Sequence, residues 1–496
     1  MRRYPNIREK YSAVLHYTGS ICLIGSVVML LPLLLIAFYP SEIKEAVHFA
    51  DPAALLAVIG IVLWRVFKVK EGVVLNATWG GIIVLFSWII MCLFSAFPFI
   101  TGEGLSFTGA VFESVSGWTT TGLSVIDVTV ASHMTLFFRS LIQLLGGAGI
   151  VIIMMAAIIG PLGPGLSVAE GREIQVVPHV VKSTRIVVRL YLSYAVFGFF
   201  ALWIAGMSPF DAINHAFAAI STGGFSTRPE SIGYWNSPAV EFVTCILMIL
   251  GNMSFLTAYL IFQGKFRQAF RDGEMKLLAI AIPLGSLIMF FTIPGTTGFA
   301  ETARAAVFQT ITAVTTTGFN TVPFDSIMPL GFFTIIIFMI IGGGTYSTAG
   351  GLKQIRVYLI IKSIIWDLKQ RLLPRRSVVA NFYWKGEERE FVEWDKLGRL
   401  GAFVGLYLST FLIGTAIFLV HGYSIDNSMF EFASALGTVG LSIGIISPDA
   451  PRLILWTCTA GMFLGRLEFF VVITSLIMLY RDFRRVISLN RKNNSG

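Results

Sequence analysis

The sequence predicts an all-α polytopic membrane protein of about ten transmembrane helices, arranged as four tandem helix–loop–helix repeats after an N-terminal helix pair. Three observations predict it. The 496-residue chain is 55% hydrophobic and only 13% charged, with a mean hydropathy of +0.76, too apolar for a chain of this size to stay dispersed in water. Apolar segments of spanning length fall at about 14–38, 52–67, 74–98, 132–160, 185–206, 237–262, 277–293, 327–365, 397–420 and 452–480. Four related polar segments interrupt them, at 119–124 (TTTGLS), 221–226 (STGGFS), 315–320 (TTTGFN) and 437–442 (GTVGLS).

The N-terminal pair comes first. Its leading apolar run follows Lys10 and is long enough to span, so it reads as a helix rather than a cleavable signal. Each polar segment then follows a span and a run of roughly ten residues (107–117, 211–220, 300–314, 426–436), too short to cross. Such a run reads as a half-membrane helix that descends, gives way to an irregular strand and returns. Irregular backbone at that depth is tolerated only where it lines a cavity. The repeats are therefore helix–pore-loop–helix units around a central pore.

Alignment on Gly122, Gly224, Gly318 and Gly440 extends the repeat. A threonine stands two residues earlier each time (Thr120, Thr222, Thr316, Thr438), and Ser or Asn two residues later. Phe112, Phe308 and Phe430 precede Glu113, Gln309 and Glu431, while the second repeat departs with Asn214 and His215. A glycine recurs in each following span, at Gly146, Gly251, Gly342 and Gly465. The units run 1–72 (helix pair), 73–165, 166–265 and 266–365 (repeats one to three), 366–396 (a basic connector) and 397–496 (repeat four and tail).

Charge placement sets the orientation. Of 37 lysines and arginines, all but Lys44, Arg139, Arg228, Arg304, Arg452 and Arg466 lie in segments that share one side when the N-terminus is cytoplasmic. Both termini are then cytoplasmic, and the four loops enter from outside. The net charge of +9 is thus a topological signal and calls for no nucleic acid. Basic 353–399 offers a docking face for a cytoplasmic partner or for anionic membrane lipid. The four cysteines and six histidines are dispersed without metal-ligand spacing, and no nucleophile–base set or carboxylate pair stands out. An enzyme is not expected.

Threonine hydroxyls, free carbonyls and a permissive glycine are what strips water from a monovalent cation. The coordinating segments are Thr120, Thr121, Gly122 and Leu123; Thr222, Gly223, Gly224 and Phe225; Thr316, Thr317, Gly318 and Phe319; and Thr438, Val439, Gly440 and Leu441. Half-helices ending there present their partially negative C-termini to the ion. Arg466 shares a slot with Gly147, Asn252 and Gly343, one residue past the recurring glycine. A buried arginine costs at least about 2.5–3.5 kcal/mol in a spanning helix, so it faces a pore or a partner, the alternative partner being Glu468. The run 342–351 carries Gly342, Gly343, Gly344, Thr345, Tyr346, Ser347, Gly350 and Gly351, and cannot remain a comfortable helix. It reads as a mobile gate; Lys353 is misplaced for a phosphate loop. Glu113, Asp127, Asp325 and Glu431 are candidates for concentrating cations at the mouth, the equal alternative being solvated loop charges or partners of helix N-termini.

On these motifs the chain resembles the Trk/Ktr/HKT superfamily of potassium transporters, and the N-terminal helix pair is that of its TrkH branch. The resemblance implies a selectivity filter marked by the four glycines, with K⁺ as the transported ion and no organic cofactor. Serine at the first of these positions goes with Na⁺ transport, so Gly122 favours K⁺. An intramembrane gating loop at 342–351 and a pore arginine at Arg466 are implied too. So are a homodimer, a cytoplasmic ring of nucleotide-binding RCK-type subunits, and a bacterial or archaeal cytoplasmic (inner) membrane. The alternatives are H⁺- or Na⁺-coupled K⁺ symport, and a Na⁺-permeable channel of the same fold.

Overall fold

Among the described residues, six apolar helices are long enough to cross a bilayer unbroken: Ile7–Ala37, Pro40–Val66, Trp79–Thr101, Thr184–Ile204, Gly273–Thr292 and Trp394–Val420. The structure, a computed structural model, describes residues 7–69, 77–149, 180–293, 298–324, 327–374, 381–386 and 388–494. The first two helices pack against each other as the N-terminal pair, and the other four are the leading helices of the repeats.

Four shorter helices follow these leaders: Phe107–Trp118, Pro209–Ile220, Phe299–Val314 and Ile425–Gly437. At 12 to 16 residues each spans only part of a bilayer. Two start on serine caps, Ser106 accepting from Gly109 N at 3.2 Å and Ser208 from Asp211 N at 3.0 Å. All four are buried along most of their length, with Phe112, Phe308 and Phe430 at most 1% exposed.

The second helices refine the sequence reading, in which 237–262 and 452–480 are each one apolar segment of spanning length. Pro238–Asn252 and Phe255–Phe262 meet at 114°, and Arg452–Leu467 meets the following helix at 101°. The causes are local: Met253 and Ser254 leave helical geometry, and Glu468 takes φ +60°. The expected span 327–365 ends as a helix at Ile341 and resumes at Gln354 after the glycine-rich run. In the first repeat His133–Ala148 ends at Gly149, φ +88°; the rest of the expected 132–160 span lies outside the described residues. Every break follows the recurring glycine by a few residues at most. Three of those glycines let the second helix press onto its own short helix. A Cβ at Gly146, Gly251 or Gly465 would overlap the carbonyl of Trp118, Ile220 or Leu436.

The connector departs from an all-helical chain. After Gln354–Leu372, strands Phe382–Lys385 and Glu388–Phe391 pair antiparallel, with Phe382 opposite Phe391.

Candidate functional site

The four short helices end identically. In the first repeat Thr121 N bonds Ser116 O at 2.9 Å and Thr120 N bonds Gly117 O at 3.1 Å, the paired closure of a Schellman motif. The second, third and fourth repeats make the same pair from Gly223 and Thr222, Thr317 and Thr316, and Val439 and Thr438. Such a motif wants glycine at its left-handed residue. Here that residue is threonine every time, with φ +54°, +51°, +55° and +50° at Thr120, Thr222, Thr316 and Thr438. A β-branched residue there is strained by about 1–2 kcal/mol. The same strain recurs at four equivalent positions. Thr120 Oγ1 and Thr438 Oγ1 are buried with no hydrogen-bond partner among the described residues.

Two residues on, Gly122, Gly224, Gly318 and Gly440 take φ +91°, +73°, +86° and +95°. A Cβ added to Gly122 would overlap Gly223 O, and one on Gly224 would overlap Thr317 O. Gly318 stands against Val439 O in the same way, and Gly440 against Thr121 O. Each glycine thus meets the carbonyl just before the next repeat's glycine, and the fourth returns to the first. The strands close into one ring. The C-termini of four short helices surround it, each carrying up to about half a negative charge.

A second layer backs the ring on its Ser/Asn side. The buried Glu113 accepts from Ser124 Oγ at 3.0 Å and Val125 N at 2.9 Å. Glu431 occupies the same place, accepting from Ser442 Oγ at 2.7 Å and Ile443 N at 2.9 Å. His215 Nε2 lies 3.0 Å from Ser226 Oγ. Ser116 Oγ and Ser434 Oγ further accept from Gly122 N and Gly440 N, at 3.1 and 3.0 Å. Arg139, 2% exposed, bonds Glu113 at 2.8 Å and Ser124 Oγ at 2.8 Å while stacking 4.0 Å over Phe225. Gln143 holds the second strand, donating to Gly223 O at 2.6 Å and accepting from Phe225 N at 3.2 Å. Among the described residues the third repeat lacks this layer: both side-chain polar atoms of Gln309, and Thr312 Oγ1, are buried without a partner there. Its Asn320 is held instead by Ser231 and Gly233 of the second repeat, through bonds of 3.3 and 3.1 Å.

This layer corrects the reading of Glu113 and Glu431 as mouth charges. Both are 0% exposed and hold strands. Asp127 is exposed in the loop beyond the first strand, and bonds from Thr129 Oγ1 and N hold its carboxyl below the usual range. Asp325 lies outside the described residues.

The run 342–351 lies under the threonine side of the ring. Gly350 N bonds Thr316 Oγ1 at 3.1 Å, Thr348 Oγ1 stands 3.2 Å from Thr222 Oγ1, and a Cβ on Gly350 would overlap Thr438 Oγ1. The run is anchored from elsewhere too. Thr348 Oγ1 bonds Ile220 O and Gly251 O at 3.0 and 2.9 Å. Gly344 N bonds Asn252 Oδ1 at 3.1 Å, Thr345 N bonds Glu274 Oε1 at 2.7 Å, and Phe255 N bonds Tyr346 O at 3.2 Å. Internally, Gly343 N bonds Gly350 O at 3.0 Å and Ser347 Oγ bonds Gly344 O at 2.6 Å. Gly342 and Gly351, at φ +72° and +77°, pack backbone on backbone.

Arg466 joins this run to the first repeat. It donates to Thr348 O, to Gly146 O at 2.6 Å and to Gly147 O at 3.1 Å. Glu468 pairs with Arg356 instead, at 2.8 Å. The sequence reading did not find Asn252 or Thr348. Asn252 was signalled by its place in the slot of Gly147, Gly343 and Arg466; Thr348 carries no such signal.

The fold and this site define a polytopic membrane transporter of four pore-loop repeats. The TrkH family profile, described as cation transport protein, matches residues 48–291 and 277–483, and the chain belongs to that family. It is 28% identical to the Trk system potassium uptake protein TrkH of Escherichia coli, over 93% of this chain and 98% of that protein. It is 31% identical to the Halomonas elongata protein of the same name, over 79% and 84%. The crystal structure of the potassium transporter TrkH from Vibrio parahaemolyticus superposes with a TM-score of 0.81 at 26% identity, covering 93% of this chain and 98% of that one.

Proposed function

We propose that the protein carries K⁺ across the cytoplasmic membrane through the ring at Gly122, Gly224, Gly318 and Gly440, as a gated and selective pore. The observation that carries this is the ring's closure, each glycine against the next repeat's carbonyl. Backbone carbonyls of 120–123, 222–225, 316–319 and 438–441 replace the ion's hydration shell, and the strained threonines lend hydroxyls at one end. Relatives named potassium uptake proteins support K⁺ as the cargo. The N-terminus is cytoplasmic, so the Ser/Asn side is the outer mouth and the run 342–351 closes the inner one. That run is the gate, and Arg466 places a positive charge beneath the filter. A homodimer and a nucleotide-binding cytoplasmic partner belong to the same reading, carried by the family resemblance. So does the division of the chain into the units 1–72, 73–165, 166–265, 266–365, 366–396 and 397–496.

The test is K⁺ and Na⁺ flux in liposomes holding the purified protein alone, beside Arg466→Ala and Gly122→Ser. K⁺-selective flux is expected. Removing one charge about 10 Å from the ion at an effective dielectric of about 20 lowers the barrier by roughly 1.7 kcal/mol, so Arg466→Ala passes K⁺ roughly twenty-fold faster. Gly122→Ser loses discrimination, because its Cβ enters the Gly223 carbonyl. Equal K⁺ and Na⁺ flux in the unaltered protein would sink the reading.

A further inference from the structure

The ring strands have no ladder partner beside them, so the direction of their carbonyls is set from behind. Groups that discriminate between ions need their supports locked to about 0.5 Å. We infer that the acid nine residues before the filter glycine, tied to the serine two residues after it, is a positioning device for ion discrimination, with Glu431 and Ser442 its working example. The inference rests on the reading of the ring as the ion-selective element.

The pairing recurs where the sequence allows it: Glu113 with Ser124, His215 with Ser226, Glu431 with Ser442. Three donors converge on Glu431 Oε1, namely Ser442 Oγ at 2.7 Å, Ile443 N at 2.9 Å and Ile445 N at 3.4 Å. They span the four residues after Gly440 and its neighbour, the stretch where the strand leaves the ring. All three donors belong to the strand that leaves the ring, so Glu431 acts on the strand. It is also the cleaner place to intervene. Glu113 shares its carboxylate with the buried Arg139, and removing it would strand that charge and destabilise the fold. Among the described residues Glu431 has no arginine bonded to it.

The experiment measures the K⁺/Na⁺ permeability ratio in liposomes for the full chain and for Glu431→Gln, Glu431→Ala, Ser442→Ala and Glu431→Ala/Ser442→Ala, with thermal stability alongside. Losing the whole tie lowers the ratio roughly ten-fold in Glu431→Ala, and losing one bond lowers it roughly three-fold in Ser442→Ala. Glu431→Gln keeps the acceptor oxygen and stays within about two-fold. The double variant falls no further than Glu431→Ala, because both changes cut the same tie. An unchanged ratio in Glu431→Ala overturns the inference, and so does Glu431→Gln as damaging as Glu431→Ala. If Glu431→Ala does not fold, an unchanged ratio in Ser442→Ala overturns it alone. A full chain without discrimination overturns the filter reading and this inference with it. Discrimination that survives in both the full chain and Glu431→Ala overturns only the tie.

Discussion

The third and fourth repeats share a design and have divided its tasks. In the fourth, the strand is held from its own short helix twice, by Glu431 and by Ser434 at Gly440 N. In the third, the side chains of the equivalent Gln309 and Thr312 bond nothing among the described residues, and the strand leans on a turn of the neighbouring repeat. The second helices differ in the same sense. The fourth turns at the single residue Glu468, whereas the third opens into the run 342–351, tucked under three of the four ring threonines. The fourth strand is held by its own repeat, the third by its neighbour. Duplication supplies the ring, and divergence decides how each quadrant is held.

The sharpest way to break this comparison is a methyl in the ring. Gly440→Ala wedges the fourth strand against the first, and both are held from behind. Left-handed strain of about 1–2 kcal/mol plus overlap of about 1–3 kcal/mol predicts a loss of K⁺ flux on the order of a hundred-fold. Gly318→Ala wedges the loosely held third strand against the fourth, and relaxation there limits the loss to roughly ten-fold. Equal losses in the two variants would mean that the strands are equally rigid.

A smaller effect comes from the anchor of the run 342–351. Asn252→Ala removes the bond to Gly344 N, about 1 kcal/mol toward holding the run under the filter. K⁺ flux should rise roughly five-fold with the K⁺/Na⁺ ratio unchanged. A lower flux would show that Asn252 supports an open path rather than a closed one.

The smallest effects are on stability, followed by thermal denaturation in detergent. Ser434→Ala gives up the bond to Gly440 N and costs about 1 kcal/mol. Thr312→Val, at the equivalent position, exchanges an unpartnered hydroxyl for a methyl of the same shape and stays within about 0.5 kcal/mol. A destabilisation by Thr312→Val equal to that of Ser434→Ala would show that the third strand is held after all.

Much of this site was legible in the chain. The Thr-x-Gly columns mark where the ring forms, because glycine and a hydroxyl must recur at fixed spacing. The column holding Glu113, His215, Gln309 and Glu431 was visible as a column, but its role was not. An acid near a filter reads as a mouth charge until burial and a hydroxyl at 2.7 Å turn it into a strut. Asp127, in the same list, is indeed exposed. The broken second helices were legible only where five glycines crowd together. At Glu468 and at Met253 no breaker residue announces the turn.

By itself, then, the sequence determined that the chain enters a membrane and that four matched loops interrupt its apolar segments. Hydrophobicity and local backbone preference act over short stretches and can be read without a fold. Only the tertiary structure decided that the loops close glycine to carbonyl in cyclic order, that Arg139 pairs with Glu113, and that Arg466 reaches Thr348 and Gly146 rather than Glu468. Those partners are distant in the chain, and a buried charge or carbonyl is satisfied by whatever packing brings within about 3 Å.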